Sequence, residues 1–257
     1  MKKKCLLLGW PKYKKKISEE IRSLGWDETI QNNQINKKNI KKYNCVICYR
    51  YKFIISKDII SKLSRPIINL HTSFLPFNKG AHPNFWSFVE NTPAGVTIHE
   101  VNDKLDSGDI IIQKLIDFKI QQNKKLTFEE AYNNLDKEII KLLLINLEKI
   151  LNNKYMKYEQ YGKGSFHSKS QLPKILKKWD QNIFKTIKIY NKEIKRSLNQ
   201  KLEIINKIEN TRKKNNVNWM DIIRVGLINS PNKIDKILEK INNDDNTITN
   251  LFKKLIN

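Results

Sequence analysis

Residues 66–76 read P-I-I-N-L-H-T-S-F-L-P, an apolar run that ends on polar side chains and then on a proline. Alternate side chains of a β-strand lie on one face, so Asn69 and His71 are predicted to share a face at the end of this strand. The residues that follow, F-N-K-G-A-H-P-N over 77–84, are punctuated by glycine and proline and predict a loop. An amide and an imidazole are therefore expected side by side where a buried strand opens into a loop.

Strands and helices alternate on the N-terminal side of this stretch. Residues 32–42 are polar and are expected to form a connection. The alternation indicates an α/β fold with a doubly wound, mainly parallel sheet, in which functional groups gather at the carboxyl ends of the strands. The predicted elements are strands at residues 5–8, 45–49 and 66–70, and helices at residues 17–24 and 59–63.

The C-terminal side of the chain divides into three predicted segments. Strands at 95–101 and 109–116 and a long helix over 128–151, capped by Thr127, complete a predicted catalytic domain over residues 1–153. A small β-hairpin or extended segment is then expected over 154–196, followed by an all-helical appendage over 197–257. The appendage is predicted to hold four short helices, marked by apolar stripes at 202–208, 219–227, 234–241 and 248–255.

The chain is strongly basic, but its composition does not identify a binding partner. Lys and Arg total 49 against 26 Asp and Glu, and the net charge of +23 is spread along the whole chain. Lys, Asn and Ile dominate throughout, as an AT-rich genome would produce, so the charge does not by itself predict a nucleic-acid partner. No membrane span is predicted, and the N-terminal apolar run lacks a signal-peptide cleavage site, so a cytoplasmic location is expected.

The chain has three cysteines, and an odd, small number of cysteines in a long chain argues against a disulfide framework. Cys45 and Cys48 have C-x-x-C spacing, but they lie within a predicted strand that would point them to opposite faces. No second cysteine pair completes a zinc site, so no metal site is predicted.

Two further motifs supply a carboxylate. Residues 95–99 read G-V-T-I-H, and residues 105–109 read L-D-S-G-D in the loop between two predicted strands. Asp106 in that loop would join Asn69 and His71 at the strand ends. An amide, an imidazole and a carboxylate together are the groups needed to move an acyl group onto an amine.

This ordered set resembles the folate-dependent formyltransferase family, whose pattern is N-x-H, then S-L-L-P, a glycine, G-V-T-x-H and a D-x-G loop. The resemblance covers about residues 1–190, with Phe74 replacing the usual leucine. It implies the formyltransferase fold and N10-formyltetrahydrofolate as co-substrate. The stretches N-K-G-A-H-P-N-F-W-S (78–87) and G-S-F-H-S-K-S (164–170) resemble sugar N-formyltransferases in particular.

The resemblance implies a role for each candidate residue. Asn69 would stabilise the negative oxygen of the tetrahedral intermediate, His71 would carry the proton, and Asp106 would orient and stabilise the imidazole. No metal is implied, and His99 is expected to support its strand. The other implied contacts are Tyr49, Arg50, Tyr51, Asp103 and Asp106 for the folate, and Lys79 and Asn84 for the acceptor substrate. His82 and His167 are expected to contact phosphates of the acceptor because they lie in polar loops.

Three kinds of acceptor remain to be distinguished. The sugar enzymes act on dTDP-linked 4-amino-4,6-dideoxyhexoses for surface polysaccharides such as the O-antigen of lipopolysaccharide, and similarity to them implies a homodimer. Methionyl-tRNA formyltransferases carry a C-terminal barrel, whereas helices are predicted at the C-terminal end of this sequence. Glycinamide ribonucleotide formyltransferases end soon after the long helix, so similarity to them does not account for the residues after about 155. A non-catalytic basic nucleic-acid-binding protein on the same fold is a further alternative, which the presence of all three catalytic residues disfavours.

Overall fold

The structure is a computed structural model that describes residues 2–36, 40–119, 123–215, 228–229 and 231–256. It divides into two compact units, Met1–Ile189 and Tyr190–Asn257. The boundaries predicted after residues 153 and 196 do not coincide with this division, and they stay predictions about function.

A six-stranded sheet forms the centre of the first unit, in the order β2-β1-β3-β4-β6-β7. Strands β1, β2, β3 and β4 pair in parallel, whereas β4–β6 and β6–β7 pair antiparallel, so the predicted doubly wound, mainly parallel α/β fold is confirmed. A separate two-stranded sheet pairs β5 with β8. The strands are β1 (Lys4–Gly9), β2 (Asp27–Gln31), β3 (Cys45–Tyr49), β4 (Ile67–His71), β5 (Lys79–Gly80), β6 (Gly95–Glu100), β7 (Ile110–Leu115) and β8 (Phe166–His167).

Helices cover both faces of the large sheet, because side chains alternate between the two faces along each strand. On β3, Ile47 and Tyr49 join the core on the side of the long helix, whereas Val46 and Cys48 join a smaller core on the other side. Thr127 caps the long helix through a reciprocal capping box with Glu130. The helices are α1 (Lys14–Ser23), α2 (Lys57–Ile60), α3 (Pro83–Val89), α4 (Phe128–Leu151), α5 (Ile183–Asn215) and α6 (Pro231–Ile256).

Strand β2 was not predicted from the sequence. Its residues, D-E-T-I-Q, pair only with β1 at the edge of the sheet and are mostly exposed or half-buried. An edge strand with polar side chains has no apolar run to mark it, and charged side chains are common at sheet edges.

The predicted hairpin over 154–196 is not formed, although every residue of that segment is described. Tyr158 bridges to Ile110, the first residue of β7, and Phe166–His167 pairs in parallel with Lys79–Gly80. The segment therefore adds strands to distant parts of the chain instead of pairing with itself. Its last residues already belong to α5.

The helical appendage is confirmed, but its division into four short helices is not. Residues 234–241 and 248–255 lie on the single helix α6, because no glycine or proline separates them. The stripe at 202–208 lies on the 33-residue α5, and the stripe at 219–227 falls outside the described residues. None of the described helices is long and apolar enough to cross a membrane.

Candidate active site

The end of β4 presents two polar side chains from the same face of the sheet. Asn69 is half-buried and His71 is buried, and their neighbours Ile68 and Leu70 point into the core on the opposite face. Strand β6 runs antiparallel beside β4, with His99 directly opposite Asn69 and Thr97 opposite His71. Side chains directly opposite each other on one face are within contact distance, so the register brings His99 to Asn69.

Asp106 is held in place by a tight loop between β6 and β7. Its backbone has a φ of 50°, in the left-handed region, and its carboxylate Oδ2 accepts from the Gly80 backbone N–H at 2.9 Å. Gln160 donates to the carbonyls of Asp106 and Gly108, each at 2.9 Å. Gly108 is required by close approach, since a Cβ there would lie 1.9 Å from the Glu100 carbonyl oxygen.

The structure brings all three predicted catalytic residues together. Asp106 Oδ2 lies 3.8 Å from His71 Nδ1, and Asp106 Oδ1 lies 3.5 Å from Asn69 Nδ2. The first distance is within the range of an ion pair once His71 is protonated, and the second is a long, weak hydrogen bond. The site is therefore a compact group of one amide, one imidazole and one carboxylate.

The imidazole of His71 is oriented by a backbone carbonyl. Its Nε2 lies 3.2 Å from the Asn78 carbonyl oxygen, which can only accept, so Nε2 carries the hydrogen. Asn78 is itself fully buried and tied to Ser165 and Thr92. The Asn78 carbonyl therefore holds Nε2 of the ring, and Asp106 Oδ2 lies 3.8 Å from Nδ1. The role of Asp106 in orienting the imidazole stays a prediction.

His99 is a site residue that the sequence interpretation assigned only to strand support. Its Nδ1 donates to the Glu100 carbonyl at 2.7 Å, which leaves Nε2 as the atom that accepts from Asn69 Nδ2 at 3.1 Å. Burial, and then the neighbouring His71, lower the pKa of His99 to about 4, so its ring is neutral at neutral pH. A neutral His99 therefore holds the Asn69 amide with its N–H groups toward the site. Its position in G-V-T-I-H was the available signal, but its partner depends on strand register.

A cleft of about 610 Å³ opens beside these residues. One wall is apolar or aromatic and comes from the segment after β3 and the loop after β6. Asn69, His99 and Asp106 supply polar groups at the carboxyl end of the sheet. Its other lining residues include Tyr51, Phe53, Ile54, Ile55, Val101, Leu105, Phe166, Ser168 and Lys169.

Several predicted binding residues lie at this cleft. Tyr51 and Asp103, predicted to contact folate, line it together with His167. Lys79 precedes the lining residue Gly80 and donates to Ser107 Oγ at 3.2 Å, while burial lowers the pKa of the Lys79 ammonium. His167 stacks on Trp86 and lies 3.1 Å from Glu90, so its ring is already engaged.

Other predicted binding residues are directed elsewhere. Tyr49 and Arg50 both donate to the fully buried Asp136 of α4, on the far side of the sheet from the cleft. Asn84 is buried and donates to the Phe128 carbonyl at 2.8 Å, which joins α3 to the start of α4. Tyr49, Arg50 and Asn84 therefore do not line the cleft, and their contacts with the folate and the acceptor stay predictions.

His82 is half-buried and lies 5.5 Å from the ring of Trp179, outside the lining of the cleft. Burial is the main influence that lowers the pKa of His82, followed by Lys169. Within the described ranges, no group of three or more His, Cys, Asp or Glu side chains is arranged to hold a metal ion.

Comparison with known proteins shows the family of the chain. The model of the formyl transferase family matches residues 3–144, more than half of the chain, and this range includes Asn69, His71 and Asp106. The chain belongs to the formyl transferase family. Among curated members, it is 29% identical over 127 residues to methionyl-tRNA formyltransferase of Rickettsia massiliae, a match that covers 48% of this chain and 41% of that protein. It is 33% identical over 75 residues to dTDP-4-amino-4,6-dideoxyglucose formyltransferase of Mycobacterium tuberculosis, covering 29% and 31% of the two chains.

The chain therefore spans less than half the length of these two curated family members. A solved structure of the family matches over a longer range. The formyltransferase PseJ from Anoxybacillus kamchatkensis, in complex with UDP-4,6-dideoxy-4-formamido-L-AltNAc and tetrahydrofolate, is 33% identical with a TM-score of 0.65. That match covers 72% of this chain and 97% of PseJ.

Proposed function

We propose that the protein transfers a formyl group from N10-formyltetrahydrofolate to the amine of a nucleotide-linked 4-amino-4,6-dideoxy sugar. The observation that carries the proposal is the convergence of Asn69, His71 and Asp106 beside one cleft. Membership of the formyl transferase family supports the reaction class. The similarity to PseJ supports the substrate class, because that structure contains both tetrahydrofolate and a nucleotide-linked 4-formamido sugar.

The cleft fits a reduced folate. Its volume of about 610 Å³ lies within the usual range for small-molecule sites. Phe53, Ile54 and Leu105 expose apolar surface along its wall, which a planar ring system could cover. When bound, the folate supplies a formyl group on a nitrogen that can leave. Tyr51 and Asp103, which line the same wall, are the predicted folate contacts that the geometry favours.

Asn69 is suited to stabilise the negative oxygen that forms during transfer. One of its amide hydrogens is directed to His99 Nε2, and the other faces Asp106 at 3.5 Å, too long for a strong bond. The second hydrogen can therefore turn to a developing oxyanion with little loss. Such a donor typically contributes about 3 kcal/mol to the stability of the transition state.

His71 is suited to carry the proton. Because Nε2 donates its hydrogen to the Asn78 carbonyl, Nδ1 carries the free lone pair and is the basic atom of the neutral ring. Nδ1 would take a proton from the attacking amine and pass it to the departing nitrogen of the folate. Asp106 Oδ2, 3.8 Å away, would stabilise the imidazolium that exists between the two transfers.

The acceptor nucleotide is the point on which the family members differ. The PseJ structure holds a UDP-linked sugar, whereas the Mycobacterium tuberculosis member is named for a dTDP-linked one. We retain a dTDP-linked sugar as the acceptor that the sequence resemblance favours, and UDP-linked sugars belong in the same test. The methionyl-tRNA member from Rickettsia massiliae makes methionyl-tRNA the alternative acceptor.

The biological setting follows from the same resemblance. We propose a cytoplasmic homodimer that prepares sugars for a surface polysaccharide such as O-antigen, with the catalytic domain in residues 1–153 and the dimer contact in 154–196. Ser165 hydrogen-bonds the Asn78 backbone that orients His71, and Gln160 anchors the Asp106 loop. Residues 154–196 therefore also support the catalytic group.

The test is turnover with N10-formyltetrahydrofolate and a panel of acceptors. Purified protein would be offered dTDP-linked and UDP-linked 4-amino-4,6-dideoxyhexoses, their 3-amino isomers and charged initiator methionyl-tRNA. Formation of a 4-formamido sugar nucleotide, detected by mass spectrometry, is the expected result. Formylation of the tRNA with none of any sugar would replace the proposed acceptor, and turnover of no acceptor would refute the enzymatic proposal.

A further inference from the structure

Helix α5 carries an exposed apolar stripe in the part of the chain beyond the family match. Ile194, Leu198, Leu202 and Ile205 follow one another at intervals of four, four and three residues, so they lie along one side of the helix. Their exposed fractions are 54%, 54%, 47% and 40%. Single exposed apolar residues are ordinary, but a continuous row of four large ones marks an interaction surface.

The apolar stripe is exposed to solvent only along residues 194–205 of the helix. Its next position, Ile208, is buried, and the guanidinium of Arg212 lies over the ring of Phe252 on α6. At Arg212, α5 therefore contacts α6. Over residues 194–205, by contrast, the described part of the chain leaves the apolar side chains largely in water.

The rest of this helix is strongly basic. Between residues 183 and 212 it carries eight Lys and Arg and three Glu. Lys201 lies seven residues after Ile194, and Lys195 lies seven residues before Leu202, so exposed lysines border the stripe on its two sides. Their alkyl stems can lie along the apolar surface while their ammonium groups reach outward.

These charges decide between two occupants of the stripe. If a second copy of the chain packed its stripe against this one, the bordering lysines of the two copies would face each other, and like charges at such positions are unfavourable. An anionic lipid surface satisfies both features, because phosphate groups attract the lysines and the headgroup boundary accepts the apolar side chains.

We propose that α5 is a membrane-surface helix that binds anionic lipid through Ile194, Leu198, Leu202 and Ile205. The helix would lie in the plane of the interface with its stripe toward the acyl chains and with Lys195 and Lys201 at the level of the phosphates. The binding is peripheral. It does not depend on the proposed reaction, and it gives a role to a helix that the catalytic group does not use.

The test is co-sedimentation of the full chain with two kinds of vesicle. One kind contains phosphatidylglycerol and phosphatidylcholine in equal parts, and the other contains phosphatidylcholine alone. Binding to the first kind and little to the second is expected. Equal binding to both, or none to either, would overturn the proposal.

Variants separate the stripe from the charge. The double substitution Leu198→Gln with Leu202→Gln leaves the charge unchanged and should weaken binding by at least about tenfold, because two apolar side chains leave the interface. The matched control, Asn199→Ala with Gln200→Ala on the polar side of the same helix, should remain within about twofold of the wild type. Lys195→Gln with Lys201→Gln should cost about fivefold for each lysine removed.

Three results would overturn the assignment. Equal loss of binding in the leucine pair and its polar-side control would show that the stripe does not enter the lipid. Self-association of the wild type that the leucine pair abolishes would assign the stripe to a second copy. Binding of a short single-stranded RNA that the leucine pair loses to the same extent as lipid would assign it to nucleic acid.

Discussion

Lowering the pH from about 7 to about 4 is expected to weaken the first unit of the fold through one side chain, His99. In the unfolded chain this imidazole has its ordinary pKa of 6.5 and takes up a proton as the pH falls below that value. In the folded protein burial lowers the pKa of His99 to about 4, so the ring stays neutral until the medium is much more acidic. Proton binding therefore favours the unfolded state throughout this window.

The size of the effect follows from the separation of the two pKa values. From about 6.5 down to about 4, at about 1.4 kcal/mol for each pH unit, the loss amounts to roughly 3 kcal/mol in the free energy of unfolding. The contribution is fully present above about pH 6.5 and disappears as the pH approaches 4. That is a large share of the stability of a typical domain.

The measurement is urea unfolding at several pH values, followed by tryptophan fluorescence. His99→Gln keeps an oxygen that can accept from Asn69 but removes the titrating ring, so its free energy of unfolding should fall less steeply than that of the wild type between about pH 6.5 and 4.5. Glu28→Gln is the matched control. The hydrogen bond from Arg22 lowers the pKa of Glu28, so its stabilisation is lost only below the ordinary carboxylate value of 4.5. Parallel curves for the wild type and His99→Gln would refute the reasoning.

Three further predictions concern the catalytic group and its support. His71→Asn should lower kcat by about 10² to 10⁴-fold, because the proton carrier is lost while a polar side chain remains, and steady-state kinetics beside a circular dichroism spectrum checks it. Asn69→Ala should lower kcat by about 10² to 10³-fold with a smaller change in KM, since the oxyanion donor acts mainly in the transition state; equal changes in both constants would contradict that role. Asp136→Ala should reduce the free energy of unfolding by about 3 kcal/mol, because it leaves the half-buried Arg50 without its partner; turnover per folded molecule should persist.

The meeting of Asn69, His71 and Asp106 was predictable because its signals are local. Asn69 and His71 are two residues apart at the end of an apolar run, and strand alternation alone places them on one face. Asp106 was predictable from its loop motif between two recognisable strands. The long helix α4 was equally clear, because a capping box and a helical apolar stripe agree along its length.

At β3 the sequence does not indicate which face of the strand meets the cleft, and this has one physical cause. All five of its residues are buried, so its sequence shows no alternation of polar and apolar side chains to say which face meets the cleft. Packing of the helices decides that Cys48 lines the cleft and that Tyr49 faces Asp136 on α4. The sequence alone therefore could not show that the side chain of Tyr49 lies on the face of the sheet opposite the cleft.

The amino-acid sequence by itself determined that Asn69 and His71 share one face at the end of a strand in a mainly parallel sheet, because strand periodicity and turn residues act over a few neighbouring positions. Only the tertiary structure decided that His99 holds the Asn69 amide and that the Asn78 carbonyl holds His71. The His99 contact depends on the register between β4 and β6, and the carbonyl of Asn78 is placed by contacts with Thr92 and Ser165, far away in the sequence. Such pairings are settled by packing across the whole unit, so no local pattern of residues contains them.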